Sequence, residues 1–387
     1  MIDFGFASFP NDFIKIYESS ENEFTKNRVF FLEHDYLSDF QKKTNAFPKI
    51  FDRIKSAASD LISDEAAAHY VLFVQKAMKE RELFLSNLSL FVFPDQHHFA
   101  ALLCFIPSII EIHNKLTALG LPKDVVHDSI AQFEDCVFLN EERTGVFGFG
   151  KRYFDHMQRY VDLRILNIGR LRFELYENRD VFLLKSKKTQ KEMLFLASGD
   201  MNDDGLFSDT PPITPCSKGF TAFFEEDIEA FAGTPINPDG RCKKEPVRLQ
   251  KSEFEIKIKP GDTCLGVHIP AKGALTKEAC DESYKRAIEI YKKHFPQHNI
   301  KAFRCHSWMM APELEKILSP DSNLVSFQKP YLKYPAHTKG EDVFVFVFKS
   351  SPDNPEDLPD GTSLQRALKK LYLSGSYLYE YNGIFTI

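Results

Sequence analysis

The chain has 387 residues, a length typical of two domains rather than one. It carries 49 Lys and Arg residues against 55 Asp and Glu residues. The resulting net charge of −6 argues against a general polyanion binder, so we expect no nucleic-acid partner. Hydrophobic residues make up 43% and charged residues 27%, which excludes disorder as the main state.

The cysteines and the amino-terminal residues indicate in which cellular compartment the protein is expected. Seven cysteines are scattered without any Cys-x-x-Cys pair, which argues against a disulfide scaffold and against a cysteine-built zinc site. Asp3 stands where a signal peptide would carry basic residues, and Pro107 interrupts the longest apolar stretch. We therefore expect a cytoplasmic protein with no metal and no membrane partner.

The first 150 residues favour helices. Apolar residues recur at helical spacing along 64–83, 99–119 and 122–133, and no sustained strand alternation interrupts them. A glycine-rich stretch at 145–150 then precedes a change of pattern. The sequence predicts a helical domain over 1–150 and a second domain over 151–387.

The second domain shows strand patterns mixed with helices. We predict strands at 163–167, 171–176, 181–184, 192–197, 254–258, 264–269, 301–308, 323–327 and 343–348. The segment 198–241, rich in Gly, Pro, Asp and Thr, favours a long loop. Helices are expected after Thr276, at 312–318 and at 364–372. The whole chain is therefore α+β, with a helical domain followed by a mixed sheet domain.

Four short strings carry a resemblance to a known family. They are GRLRFE at 169–174, HIPAKGAL at 268–275, FRCHSWMM at 303–310, and DSNL at 321–324 with FQ at 327–328. In this order they resemble the motifs of bacterial two-domain acyltransferases, which have an N-acyltransferase N-terminal domain and a GNAT-like C-terminal domain. The helical half is similar in character only.

The resemblance implies transfer of an acyl group from a coenzyme A thioester to an amine. The co-substrate would be acetyl-CoA or another acyl-CoA, and the acceptor a small-molecule amine or a peptide amino group. In GNAT enzymes two neighbouring strands separate to admit the thioester, and a loop after the first strand holds the pyrophosphate. The equivalent loop here comprises Ala271, Lys272, Gly273, Ala274, Leu275 and the helix-capping Thr276. A loop that opens a helix is physically suited to an anion, although it is equally an ordinary strand-to-helix turn.

Three residues are candidates for the chemistry. His268 has the side chain to take a proton from an amine, or it simply hydrogen-bonds within the sheet. Strand alternation sends Cys305 and Ser307 to one face of their strand, where they can meet the thioester or merely pack. GNAT enzymes commonly use a Tyr from the following helix as the acid, but 311–318 contains none. Tyr331 and Tyr334, which lie farther along the chain, are candidates for this acid.

Two other functions remain open at this point. The first is a GNAT-like ligand-binding protein without catalysis, which the missing tyrosine and the acidic start of the helix after Thr276 favour. The second is a hydrolase that uses Cys305 with His268. The chain has no Gly-x-Ser-x-Gly, P-loop or Gly-x-Gly-x-x-Gly motif that would indicate other chemistry.

Overall fold

The computed structural model describes residues 9–27, 29–93, 96–211, 219–271 and 273–387. The chain divides into two compact units, Met1–Asn167 and Ile168–Ile387. The division falls after the last helix of the first unit, whereas the sequence predicted the boundary near Gly150. No helix among the described residues combines the length and the apolarity needed to cross a membrane.

The first unit is helical. Its helices are α1 Asn11–Asn27, α2 His34–Thr44, α3 Phe51–Ser63, α4 Glu65–Ala77, α5 Arg81–Ser86, α6 Ala100–Leu103, α7 Ile106–Ala118, α8 Lys123–Thr144 and α9 Phe154–Val161. Their core is rich in aromatic rings that meet edge to face, as Phe13 and Phe91 do at 5.3 Å between centroids. α8 ends at Gly145, whose φ of 73° is the left-handed cap that glycine adopts without strain. The predicted helical domain is thus confirmed.

Thirteen strands lie between Ile165 and the carboxyl end of the described chain, and the division between the units falls within the first of them. They are β1 Ile165–Ile168, β2 Leu171–Glu177, β3 Val181–Ser186, β4 Glu192–Leu196, β5 Ser198–Met201, β6 Phe220–Glu226, β7 Ala230–Gly233, β8 Val247–Gln250, β9 Phe254–Ile258, β10 Thr263–His268, β11 Ala302–Ser307, β12 Leu332–Pro335 and β13 Tyr381–Thr386. The helices of the second unit are α10 Lys277–His294, α11 Leu314–Ile317, α12 Asn323–Gln328 and α13 Ser363–Leu373.

The strands form three sheets. The largest has the order β1-β2-β10-β11-β13-β12, and the smaller ones have the orders β4-β3-β9 and β5-β6-β7-β8. In the largest sheet β10 and β11 run parallel, because α10 connects them as a crossover helix. Strands β2 and β13 flank this pair in the antiparallel direction. The mixed sheet with helices confirms the predicted α+β class.

The two faces of the six-stranded sheet pack against different layers. α10 covers one face, where Tyr284 contacts Phe303 of β11 at 4.8 Å between ring centroids. The other face, with Cys264 and Tyr334, joins a core cluster built with residues of the smaller sheets, such as Leu183 and Leu196. This division decides which side of the sheet each candidate residue reaches.

Three predicted segments of the second unit are wrong. The predicted long loop at 198–241 contains β5, β6 and β7, whose four- to seven-residue strands are hidden among turn-forming residues. The predicted strand at 323–327 is α12, because the Ser322 hydroxyl accepts a hydrogen bond from the Val325 amide and starts a helix.

The third error is the strand predicted at 343–348. Phe344–Phe348 is a π-helical turn, although its valines and phenylalanines alternate as in a strand. Helical winding turns both Phe344 and Phe348 toward Tyr372 of α13, at 5.2 and 6.2 Å between ring centroids. Tertiary packing therefore overrides the local preference for a strand.

Candidate active site

The central feature of the site is a separation of β10 from β11. Their parallel pairing runs from Cys264 opposite Ala302 to Gly266 opposite Arg304, and extends no farther. β10 stays paired with β2 as far as His268, and β11 stays paired with β13 as far as Ser307. Because each strand keeps its outer neighbour while the inner pairing stops, the sheet opens between the carboxyl ends of β10 and β11.

A turn links the open end of β10 to α10. Thr276 caps α10, since its hydroxyl accepts a hydrogen bond from the Ala279 amide at 3.3 Å. Gly273 has a φ of +87°, a conformation that other residues rarely adopt. Leu275 is buried, whereas Ala271 and Ala274 are exposed. Lys272, which the sequence placed in the same loop, lies outside the described residues.

Arg170, which immediately precedes β2, fixes this turn. Its Nε donates to the Ala274 carbonyl at 3.1 Å and its Nη2 donates to the Gly273 carbonyl at 2.9 Å. The Arg170 amide in turn donates to the Ser283 hydroxyl of α10 at 2.8 Å. The residues predicted to hold a cofactor are therefore held as one unit with the start of β2 and with α10.

Two guanidinium nitrogens near this turn are buried without a hydrogen-bond partner among the described residues. They are Nη1 of Arg170 and Nε of Arg172. Burial lowers the pKa of Arg170, and the positive charge of Arg172 acts in the same direction. Burying two positive charges with unsatisfied hydrogen-bond donors costs free energy unless an anion binds to them. The region around Arg170 and Arg172 is therefore suited to a phosphate group.

His268 is paired with a carboxylate. Its Nε2 lies 2.9 Å from Oε2 of the buried Glu174 on the neighbouring strand β2. In the register of these strands Gly266 stands opposite Glu174 and Cys264 opposite Tyr176, so His268 shares its face of the sheet with these residues. Since a carboxylate accepts, Nε2 of the neutral imidazole carries the proton, and Glu174 fixes the orientation of the ring.

His306 on β11 belongs to a second polar network. Arg304 Nη2 donates to the Asn382 side-chain oxygen at 2.8 Å and to Asp180 at 3.1 Å, while its Nε donates to the Tyr334 hydroxyl at 3.0 Å. The guanidinium also lies over the ring of Tyr176, 4.1 Å from its centroid. The same Asn382 oxygen lies 3.2 Å from Nδ1 of His306. Strand alternation puts His306 on the opposite face from Cys305, and no motif in the sequence indicated a role for it.

Cys305 and Ser307 do not meet His268. In-register neighbours of parallel strands share a face, so Gly266, Arg304 and, by alternation, His268 and His306 lie on one side, while Cys305 and Ser307 lie on the other. Burial raises the pKa of the Cys305 thiol to about 12. The Ser307 hydroxyl accepts a hydrogen bond from the Met309 amide at 3.1 Å and caps the short helix Trp308–Met310. The structure therefore does not bring Cys305 and His268 together.

A pair of tyrosines lies on the Cys305 side of the sheet. The hydroxyls of Tyr284 on α10 and Tyr331 are 2.8 Å apart, and burial raises the pKa of both well above the ordinary value. Tyr331, a candidate for the acid, is thus buried against Tyr284 of α10. Within the described ranges, no three His, Cys, Asp or Glu side chains come together as a metal-binding group.

Solved structures of similar fold are acyltransferases. An acyltransferase mutant in complex with octanoyl-CoA aligns with a TM-score of 0.59 at 16% identity, over 92% of this chain and 88% of that one. An acyltransferase in complex with CoA and 10C-teicoplanin aligns with a TM-score of 0.58, and one with decanoyl-CoA and teicoplanin with 0.57, at the same identity and coverage. At this identity the likeness shows the fold, which extends through both units. No curated protein matches the chain.

The half of the chain that contains the β10–β11 opening, the turn before α10, His268 and His306 matches a known protein family. The model of the GNAT-like C-terminal domain matches residues 165–385, which spans β1 to β13. The match includes all four strings on which the resemblance was based, and it confirms that resemblance. The chain belongs to the family of proteins with a GNAT-like C-terminal domain.

Proposed function

We propose that this protein is an acyl-CoA-dependent acyltransferase whose acceptor is an amine. The observation that carries the proposal is the end of the β10–β11 pairing at Gly266 and Arg304. Beyond this point the backbone groups that point into the opening have no strand partner across it, so those of them that are N–H groups are available to a thioester carbonyl. A closed sheet would leave no room for a thioester there.

The coenzyme would lie with its pyrophosphate at the turn before α10. The first-turn amides of a helix are available to an anion, and Thr276 satisfies only the amide of Ala279. Arg170 and Arg172 add buried donors that lack partners among the described residues. Glu278 in the first turn opposes this binding, while Lys277 is paired with Asp281. The two arginines therefore supply the positive charge for a phosphate at this turn.

The reaction would be direct attack of the amine on the thioester. The C–N bond forms, the C–S bond breaks, and the amine must lose a proton to a base near the opening. His268 is the base that the sequence predicted, and His306 is a second histidine beside the same opening. Acetyl-CoA and longer acyl-CoAs are both co-substrates to test, since the similar structures hold octanoyl- and decanoyl-CoA.

Calorimetric titration tests the coenzyme site. We expect acetyl-CoA or octanoyl-CoA to bind the whole chain with a 1:1 stoichiometry, and free CoA to compete. Supplying an amine should then release thiol, detected with a chromogenic disulfide. Absence of any heat at millimolar concentrations of both thioesters would refute the proposal.

A catalytically inactive acyl-CoA-binding protein is the second candidate. It is favoured by the lack of a tyrosine in 311–318 and by the burial of the Tyr284–Tyr331 pair, which leave the acid for the thiolate unassigned. Both candidates predict coenzyme binding. Thiol release that depends on an added amine separates them, because the inactive protein would show none.

A further inference from the structure

A large cavity lies on the side of the six-stranded sheet that α10 does not cover. Its volume is about 830 Å³, within the range of sites that hold small molecules. Arg304, His306 and Asn382 of the sheet form its floor, and residues of β5 and of the segment that follows it form a wall. All of its lining residues belong to the second unit. The cavity is therefore adjacent to β11 just where that strand leaves β10.

The wall of this cavity carries carboxylates beside apolar side chains. Asp200 accepts a hydrogen bond from the Thr221 hydroxyl at 3.0 Å, and Asp209 lies 2.9 Å from Nδ1 of His337. Phe207 stacks on the His337 ring at 3.8 Å between centroids and provides a flat apolar surface. Carboxylates attract an ammonium group, so their presence in the lining favours an amine as the molecule bound there.

The floor fixes the tautomer of His306. A guanidinium only donates hydrogen bonds, so the Asn382 atom that faces Arg304 is the oxygen, and the Asn382 amide group donates to the Pro335 carbonyl at 3.0 Å. The same oxygen must accept from Nδ1–H of His306. In the neutral ring the lone pair is then on Nε2.

Desolvation lowers the pKa of His306, and the charge of Arg304 acts in the same direction. Asp180 and Asp342 oppose this effect, and the hydrogen bond to Asn382 does so as well. The ring is nevertheless exposed to the cavity. At neutral pH His306 thus presents an unprotonated Nε2 to a molecule bound there.

We propose that this cavity is the acceptor site, that it takes a polar primary amine, and that Nε2 of His306 accepts the proton of its ammonium group. The inference rests on the proposed function. His306 takes one proton from the ammonium group, which leaves a neutral amine. The amine nitrogen then attacks the carbonyl carbon of the thioester, so that the C–N bond forms and the C–S bond breaks. The second proton of the nitrogen ends on the coenzyme A sulfur, and His306 returns its proton to solvent.

His268 is less well placed for this step. It does not line the cavity, and its Nε2 is engaged by Glu174. His306 lines the cavity and has Nδ1, not Nε2, engaged by the protein. His306, rather than His268, is therefore the residue expected to take the proton from the acceptor amine.

The test compares His306→Gln and Ser208→Trp with wild type and with His298→Ala, a histidine outside the cavity. Ser208 is an exposed residue of the cavity lining, so a larger side chain there fills the site without disturbing the core. Octanoyl-CoA is the donor, and glucosamine, spermidine and glycylglycine are the ammonium probes. Hydroxylamine serves as an amine that is largely unprotonated at neutral pH. Calorimetry with octanoyl-CoA accompanies every rate measurement.

We expect wild type to acylate at least one ammonium probe and His306→Gln to lower kcat/KM for it by about 100-fold or more. The loss should be much smaller with hydroxylamine, which needs no deprotonation before attack. Ser208→Trp should abolish transfer to the ammonium probe, and every variant should bind octanoyl-CoA as wild type does.

Unchanged kcat/KM in His306→Gln would overturn the role of His306. If octanoyl-CoA binds but wild type acylates none of the ammonium probes, the assignment of the cavity to polar amines is wrong. Failure to bind octanoyl-CoA would instead refute the proposed function itself, and the two failures are therefore distinct.

Discussion

His268 and His306 stand at matching positions on either side of the opening in the sheet. Each lies two residues beyond the last paired residues of β10 and β11, Gly266 and Arg304, and on the same face. Glu174 holds one ring and Asn382 holds the other. The opening is therefore flanked by two oriented imidazoles that have different polar partners.

The first prediction concerns the His268–Glu174 pair. His268→Ala removes a hydrogen-bond donor from a buried carboxylate, and we expect it to lower the free energy of unfolding by about 1–3 kcal/mol. His268→Gln keeps an N–H donor, so it should cost much less and lower kcat/KM by about tenfold at most. Urea unfolding and steady-state rates measure both quantities, with His298→Ala as the control. A loss of about 100-fold in His268→Gln would instead make His268 the base.

The second prediction concerns the two arginines beside the turn. We expect Arg172→Gln to weaken octanoyl-CoA binding by about 10- to 100-fold, because a charge-assisted hydrogen bond to phosphate contributes roughly 1.5–3 kcal/mol. Arg170→Gln should do the same and also loosen the turn, since Arg170 holds the Gly273 and Ala274 carbonyls.

Octanoyl-pantetheine, which lacks the pyrophosphate, provides the matched ligand for this experiment. Its affinity should not change in Arg172→Gln if the guanidinium contacts phosphate. Lys257→Gln, at a basic residue of β9 paired with Glu255, is the protein control. An equal loss for both ligands in Arg172→Gln would show that the arginine supports the fold rather than the phosphate.

The third prediction concerns cysteine reactivity. Only the thiolate is nucleophilic, and burial raises the pKa of Cys305 to about 12, so the native protein should not be alkylated there by iodoacetamide at neutral pH. Cys280 is also buried, and its pKa is raised to about 11. Peptide mass spectrometry should find both residues unlabelled before unfolding and labelled after it. Rapid labelling of Cys305 in the native protein would contradict this prediction and support the hypothesis of a Cys/His hydrolase.

The fourth prediction follows from the hydrogen bond between Asn382 and His306. Asn382→Asp places a carboxylate 3.2 Å from Nδ1, which stabilises the imidazolium and raises the pKa of His306. A base works only when unprotonated, so activity at neutral pH should fall and recover as the pH rises. The acid limb of the kcat/KM profile should move to higher pH by about one unit or more.

Asn354→Asp is the control for this substitution, because Asn354 caps a short helix through a side-chain oxygen that Asp also supplies. Its pH profile should match that of wild type. Imidazole ¹⁵N shifts of His306 provide a readout that activity does not affect. If the acid limb and the shifts stay unchanged in Asn382→Asp, His306 is not the group that titrates.

The elements around the opening were accessible from the sequence because their signals are local. β10, the turn with Gly273, the Thr276 cap and β11 each follow from apolar periodicity or from a residue with a specific backbone role. The residue at which the β10–β11 pairing ends could not be predicted from such local signals. It depends on which residues of two strands stand opposite each other, and a single sequence does not encode register in any local pattern.

The partners of His306 were hidden for a related reason. Asn382 is 76 residues away, and in sequence its Asn382-Gly383 dipeptide indicates a turn. The structure has β13 there instead. Gly383 is required because a Cβ would come within 2.8 Å of the Met310 sulfur and 2.9 Å of Tyr331. A glycine needed for close packing is therefore indistinguishable in sequence from one needed for a turn.

The fifth prediction uses the single tryptophan of the chain. Trp308 is buried in the short helix Trp308–Met310, which directly follows β11, the strand that forms one side of the opening. A thioester entering there changes the surroundings of the indole, so octanoyl-CoA should change the emission of Trp308 with the same Kd that calorimetry gives. Trp308→Phe should remove the signal and leave the calorimetric Kd within a few-fold. Because no other indole contributes, unchanged emission at saturating octanoyl-CoA would place the coenzyme away from the β10–β11 opening, even if it binds.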